Sequence, residues 1–552
     1  MMNRSAVAKT LCTLLTAATV ACGTSGSGPA AERTAGTPSR VAAKQAPAAA
    51  AATAKKTSRR KQAALARAAA ASAGGTGGSA VPARYAAFAA AFDLDAYIGF
   101  VPGAAVALIE HGKVTFTHAV GTTAVNGTTP VDADTIFRVG TMTQPLTAAL
   151  ELALVDQGKG SLAETLPTLV PGVSIQDPSA ASVTTRELLS NQSGLFDFTT
   201  WSYDLDLLSL SCSTDPASLQ SFVAGSLFAQ NEVFMTPPGA IYEASNPNFI
   251  LAGAGIEKQS GSYFTDAARS LLFAPLGMSR SFFVPSEVVA AGNYADGTSY
   301  DQSGNLIGVA PTDYDCAAYR PYGYAFSSVN DYAKFVQMLL AGNPKVLSDA
   351  SRLAMESPQV QTRDLGHVSS EGYGLTVSKG YLTQSNAYYA TKTVSSQGQI
   401  EGYGSLFYGF PDTGFGVVIL SNFSATQFGD SIDLAVQRFA GLPPPSALPA
   451  NNDSVPGKFA RYAGTYEDPT GSFGTIVISD TGGALTVDFP DASTLGLEFW
   501  PQLSPTLDDG FLVTFFGYPN VLQFMTDSSG RYTYLLIDDT IAATRIAADA
   551  GP

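Results

Sequence analysis

Hydrophobic patterning changes character several times along the chain. Arg4 and Lys9 precede an apolar run from Leu11 to Ala21, which is too short to span a bilayer and has the form of an export signal. Residues 23–80 are rich in Ala, Gly and Ser and lack apolar periodicity, which predicts a disordered tether. Folded patterning begins near Val81. Pro102 to Glu110 reads as a strand, His111-Gly112 as a tight turn, and Lys113 to Val120 as the alternating partner strand. Leu146, Ala149, Leu150, Ala153 and Leu154 recur at helical spacing, with Pro145 placed for a first turn and Gly158 for a stop. Gly414 to Asn422 reads as another buried strand. Pro443-Pro444-Pro445, Pro449 and Pro456-Gly457 mark a linker. Beyond it, short alternating strands at 474–479, 485–489, 510–516 and 532–537 predict a small all-β barrel or sandwich. The expected organisation is a signal at 1–22, a tether at 23–80, a first folded domain at 81–442, a linker at 443–456 and a β domain at 457–552. No segment after the signal reads as a transmembrane helix.

Charge is divided unevenly. Residues 1–80 hold eleven Lys/Arg and one acid, Glu32, a balance of +10, which leaves −25 for the rest of a chain whose total is −15. The basic part includes Lys55-Lys56 and Arg59-Arg60-Lys61. It is either a solvated spacer or a segment that lies on anionic lipid or wall polymer. Nothing in the acidic body points to nucleic acid. The signal ends Thr19-Val20-Ala21-Cys22-Gly23, which resembles a bacterial lipobox, so Cys22 is a lipidation candidate beside plain secretion. Export to an oxidising compartment makes a Cys212–Cys316 disulfide plausible, against two separate buried thiols. His111, His118 and His367 are scattered without ligand spacing, and neither a metal nor a cofactor is expected.

The chemistry-bearing motifs lie in the first folded domain. Phe137 to Ala148 carries Thr141-Met142-Thr143-Gln144 before the helical pattern. Val183 to Leu195 reads Val-Thr-Thr-Arg-Glu-Leu-Leu-Ser-Asn-Gln-Ser-Gly-Leu, and Pro238 to Gly253 contains Ala244-Ser245-Asn246. Tyr322 to Leu340 contains Phe326-Ser327-Ser328-Val329-Asn330-Asp331, and Ser396-Gln397-Gly398 precedes Gly402-Tyr403 by the spacing of an edge-strand motif. In this order, over roughly 82–442, the segments resemble serine β-lactamases and penicillin-binding hydrolases. That resemblance implies an α+β fold, an antiparallel sheet flanked by helices with a helical subdomain. Tyr462-Ala463-Gly464-Thr465-Tyr466 resembles the opening of the lipocalin-like barrel appended to many members.

In such hydrolases the motifs read Ser-x-x-Lys, Tyr-x-Asn and Lys-Thr-Gly or His-x-Gly. Here the corresponding positions are Thr141 and Gln144, Ala244, and Ser396. Acyl transfer needs a nucleophile, a base, a proton shuttle and an oxyanion hole. Thr141 keeps a hydroxyl, but an amide at Gln144 cannot take its proton. Asn191 also stands where the resemblance places His. The binding groups Asn246, Gly398 and the backbone N–H groups of Thr141 and Gln399 remain. Lys392-Thr393 lies four residues too early to serve, and Ser190, Ser193, Ser396 and Glu401 are polar groups without a visible base in sequence reach. The sequence therefore predicts an exported bacterial homologue, lipoprotein, periplasmic or secreted, that has lost catalysis and binds cell-wall peptide or an envelope partner. The competing reading is a rewired hydrolase with Thr141 as nucleophile.

Overall fold

The computed structural model describes residues 81–201, 212–225, 233–301, 304–362, 369–424, 428–449, 458–506 and 509–546. The signal, the tether, Cys22 and His367 lie outside the described residues. The first domain opens with α1 (Ala86–Ile98), β1 (Gly103–Glu110) and β2 (Lys113–Gly121). Next come α2 (Thr143–Asp156), α3 (Asn246–Ser260), the hairpin β3 (Gly297–Tyr300) and β4 (Leu306–Val309), and α4 (Val329–Ala341). Three short strands, β5 (Val360–Gln361), β6 (Ser369–Glu371) and β7 (Thr376–Ser378), precede β8 (Thr393–Ile400), β9 (Tyr403–Phe410) and β10 (Phe415–Ser421). The domain closes with α5 (Gly429–Phe439).

Its sheet runs in the order β2-β1-β10-β9-β8-β7-β6-β5, and all its pairings are antiparallel. Both faces of the central strands are covered, which explains the continuous apolar runs read for β1 and β10. Ala105, Ala107 and Ile109 of β1, with Val418 and Leu420 of β10, enter the core built on α2, α3 and α4. Their alternate neighbours Ala104, Val106, Leu108, Val417 and Ile419 pack with Phe88 and Phe92 of α1 and Ile432 and Val436 of α5. Period-two alternation thus serves two cores at once. Helix α2 is buried from Pro145 through Leu154, so its burial extends well beyond the helical stripe read from the sequence. Even Glu151 lies inside, bonded to Gln259 Nε2, and burial pushes its carboxyl up to about 7.

The C-terminal domain is a closed antiparallel barrel of eight strands. These are β11 (Gly464–Glu467), β12 (Thr475–Asp480), β13 (Leu485–Asp488), β14 (Phe499–Pro505), β15 (Gly510–Phe515), β16 (Tyr518–Thr526), β17 (Tyr532–Ile537) and β18 (Ile541–Arg545). Strand β11 pairs with β18 through Tyr466↔Arg545 and Glu467↔Thr544 and closes the ring. Tyr462, Tyr466, Phe511 and Phe524 fill the interior with side chains. Met235 and Ile241 of the first domain belong to the same apolar cluster, so the barrel core extends onto the segment that precedes α3.

Candidate active site

Thr141 sits in a 3-10 turn, Gly140–Met142, that runs into α2. Two glycines let this turn lie flush against β8. Gly140 has φ +52°, and a Cβ there would come within 2.8 Å of the Gln399 nitrogen. A Cβ on Gly398 would lie 2.1 Å from the Val139 carbonyl oxygen and 2.5 Å from Ser405 Oγ. Strand β8 pairs with β7 only over Thr393–Ser395, so residues 396–400 offer a strand edge to the turn. The Thr141 hydroxyl donates to the Gln397 carbonyl at 2.8 Å. Antiparallel periodicity then puts the Gln399 N–H on the same edge. The side chains of Gln397 and Gln399 are exposed, and Ser396 is half-buried on the opposite face of the strand. Lys392 lies at the far end and donates to the buried Glu356 carboxylate at 3.2 Å.

Gln144, which the sequence aligns with the lysine of Ser-x-x-Lys, is an amide held by a hydrogen bond. Gln144 Nε2 donates to Asn246 Oδ1 at 3.2 Å, and Asn246 Nδ2 donates to Thr199 Oγ1 at 3.0 Å. Thr199 in turn donates to Asp197 Oδ1 at 2.6 Å. Burial holds the Tyr322 phenol well above its ordinary value, while a hydrogen bond to Thr199 pulls the other way. Among the described residues, no Lys, His, Asp or Glu hydrogen-bonds Thr141 or Gln144. Ala244 itself carries no group that transfers a proton, and its N–H donates to the Asp539 carbonyl at 2.8 Å. Asp539 belongs to the β17–β18 turn of the barrel, where Asp538 and Asp539 both take left-handed φ, 45° and 61°. Nothing in the spacing of the sequence joined this turn to Ala244, and Thr199 was equally hidden.

The other polar candidates serve the scaffold. Asn191, at φ +53°, accepts from Ser245 N at 3.3 Å and Asn248 Nδ2 at 3.0 Å, which ties its loop to the start of α3. Ser193 donates to Asn248 Oδ1, and Ser190 donates to the Arg186 carbonyl at 2.8 Å. Glu401 is exposed. Cys212 and Cys316 are joined as a disulfide with Cα atoms 5.4 Å apart. His118 pairs with Asp93 at 2.7 Å, and among the described residues no group of His, Cys, Asp or Glu is arranged to hold a metal ion.

A family model described as Beta-lactamase matches residues 94–441. The chain belongs to the beta-lactamase family. Within that family it is a penicillin-binding-protein-like, serine-hydrolase-like chain. It is 29% identical over 334 residues to an unguisins hydrolase, ungD', of Aspergillus campestris, covering 58% of each chain. It therefore spans less than two thirds of that relative's length. It is 25% identical over 390 residues to penicillin-binding protein 4 of Amycolatopsis lactamdurans, covering 67% of this chain and 94% of the relative. Among solved structures, SurE superposes with TM-score 0.63 at 22% identity, covering 84% of this chain and 99% of SurE. That likeness bears on the fold.

In this beta-lactamase-family chain the segment 235–244 joins the barrel to the cleft wall, and Phe196 from a second loop also packs against the barrel core. Met235 Sδ accepts from Ala542 N at 3.4 Å, Ile241 is buried in the barrel core, and Ala244 N meets Asp539. Glu243 lies between these contacts, 1% exposed. Its Oε1 accepts from Thr236, its Oε2 has no hydrogen-bond partner among the described residues, and burial pushes the carboxyl up to about 8. A buried acid without a cation is held neutral near pH 7.

Proposed function

We propose that this chain is an exported, catalytically inactive member of the beta-lactamase family that binds cell-wall peptide along the cleft edge of β8. The observation that carries this reading is the neutral chain Gln144–Asn246–Thr199, with the Thr141 hydroxyl engaged by the Gln397 carbonyl. A nucleophile needs a partner that takes its proton, and an amide does not. The same site keeps what recognition needs. Residues 396–400 present a strand edge on which an extended peptide can pair through its backbone. Exposed Gln397 and Gln399 supply amides along that edge.

The names of the relatives support a peptide-like ligand, since they include a D-aminopeptidase and a penicillin-binding protein. The signal-like residues 1–22 and the Cys22 lipobox resemblance support export and an envelope location. Calorimetric titration of the full chain with a purified muropeptide tests the reading. Stoichiometric binding with the muropeptide recovered unchanged is expected. Steady product formation that stops on Thr141→Ala would instead establish the rewired hydrolase.

A further inference from the structure

One end of the first domain carries apolar side chains that no core uses. Helix α1 ends in a complete Schellman arrangement, with Val101 N donating to Ala96 O at 2.9 Å and Phe100 N to Tyr97 O at 3.3 Å. The left-handed position of that motif favours glycine. Here it is Phe100, at φ 54°, while Gly99 stands one residue too early, at φ −77°. The strain is not repaid by packing, because Phe100 is 78% exposed, beside Tyr97 at 78% and Ile98 at 57%. A strained bulky residue whose side chain is left in solvent is a functional signal.

A second set of apolar side chains lies at the same end of the sheet. Gly103 O, three residues after Phe100, accepts from Asn422 N at 3.0 Å. The next residue, Phe423, meets the Tyr300 ring edge-on at 5.9 Å. Tyr300 sits on the β3–β4 hairpin with Leu306 and Ile307, and these three are 56%, 37% and 42% exposed. Both projections lie at the end of the sheet marked by the row Ala104↔Ser421↔Gly404↔Gln399, the end that carries the cleft.

We propose that the α1–β1 turn and the exposed Tyr300, Leu306 and Ile307 side chains of β3 and β4 form a membrane-docking surface that inserts into the interface of a phospholipid bilayer. Tyr and Phe favour the boundary between headgroup and acyl chain, and Leu and Ile favour the apolar side of it. Charge points to the same occupant. The chain from residue 81 onward is acidic, at −25, so its own charge does not draw it to anionic lipid. Residues 23–80, the tether that follows the signal, carry +8 and do so. Two weak signals, a basic segment and an apolar tip, are what stable surface binding requires. The inference stands whether or not the cleft is catalytic.

The test uses the full chain carrying Cys22→Ser, which excludes an acyl anchor, and sedimentation with phosphatidylcholine vesicles with and without phosphatidylglycerol. Parent protein should bind vesicles containing phosphatidylglycerol. Phe100→Gly should weaken binding about tenfold, the effect of withdrawing one partly inserted aromatic side chain. The pair Tyr300→Ser with Ile307→Ser should weaken it comparably. Phe100→Gly relieves strain, so its melting temperature should not fall, which separates lost binding from unfolding. Trp500→Ser, at an equally exposed aromatic of the barrel, 67% exposed, should change nothing. Equal binding by parent and both tip variants overturns the proposal, as does an equal loss in Trp500→Ser. Failure of the parent to bind, with self-association lost in the tip variants, also overturns it and assigns the surface to a second copy.

Discussion

Replacing Glu243 by Gln should remove a large part of the pH dependence of folding. Glu243 is fully buried at the junction of cleft wall and barrel, and burial raises its carboxyl from 4.5 to about 8. Between those values the folded chain holds a proton that the unfolded chain has released. Stability therefore falls as pH rises across this window, and the contribution is fully present below about 4.5 and gone above about 8. At about 1.4 kcal/mol per unit, the interval corresponds to roughly 5 kcal/mol. Glutamine keeps the neutral shape and an oxygen for the Thr236 hydroxyl but cannot ionise. The assay is urea unfolding of parent and Glu243→Gln across pH 5 to 9, read as the difference at each pH. Differencing cancels the other raised carboxyls, Glu151, Asp538, Glu257, Asp296, Glu356, Asp433 and Asp468. The variant should gain on the parent by about 1 kcal/mol per pH unit up to pH 8, then run parallel to it. Parallel curves over the whole range would refute the argument that Glu243 is held neutral by this junction.

Three further outcomes follow from the same geometry. Gly398→Ala places a methyl group 2.1 Å from the Val139 carbonyl oxygen, so it should cost about 1–3 kcal/mol by overpacking and weaken muropeptide binding in calorimetry. Removing the disulfide with Cys212→Ala and Cys316→Ala opens a closed loop of 104 residues and should lower unfolding free energy by up to about 4–5 kcal/mol in the chain-entropy account. Gln144→Lys restores one missing side chain, yet Ala244 and Ser396 still lack shuttle and cation, so mass spectrometry should show no penicillin adduct on that variant.

Local patterns exposed much of the fold. The apolar run of β1, the alternation of β2, the helical stripe of α2 and four strands of the barrel are local patterns of ten residues or fewer, and each segment carries its own signal. The full burial of α2 was less visible, because Thr147 and Glu151 are polar by type and buried by context. Three barrel strands, β14, β16 and β18, were not individually legible, and β11 was marked only by the resemblance of Tyr462 to Tyr466 to a lipocalin-like opening. Strand β14 breaks register against β15 between Trp500 and Ser504, and Tyr518-Pro519-Asn520 opens β16 with turn-like residues.

The site divides in the same way. Thr141, Gln144, Ala244 and Asn246 could be numbered from motif spacing alone. What those residues do could not, because Gln144 is defined by Asn246, 102 positions later, and Asn246 by Thr199 from another loop. The contact between Ala244 and Asp539 joins two domains. Long-range partners of this kind leave no periodicity behind. Phe100 shows the reverse case: Gly99-Phe100 looks like an ordinary helix stop, and only the dihedral angle shows that the glycine and the strained position do not coincide.

The central claim is that a retained cleft has lost acyl chemistry. It is tested most directly by the intact mass of the purified protein after exposure to a penicillin and, separately, to a fluorophosphonate. An unshifted mass with both reagents is expected in a sample whose folding is verified by circular dichroism. A covalent adduct that disappears on Thr141→Ala would contradict it, and would make Thr141 a working nucleophile served by a base other than Gln144.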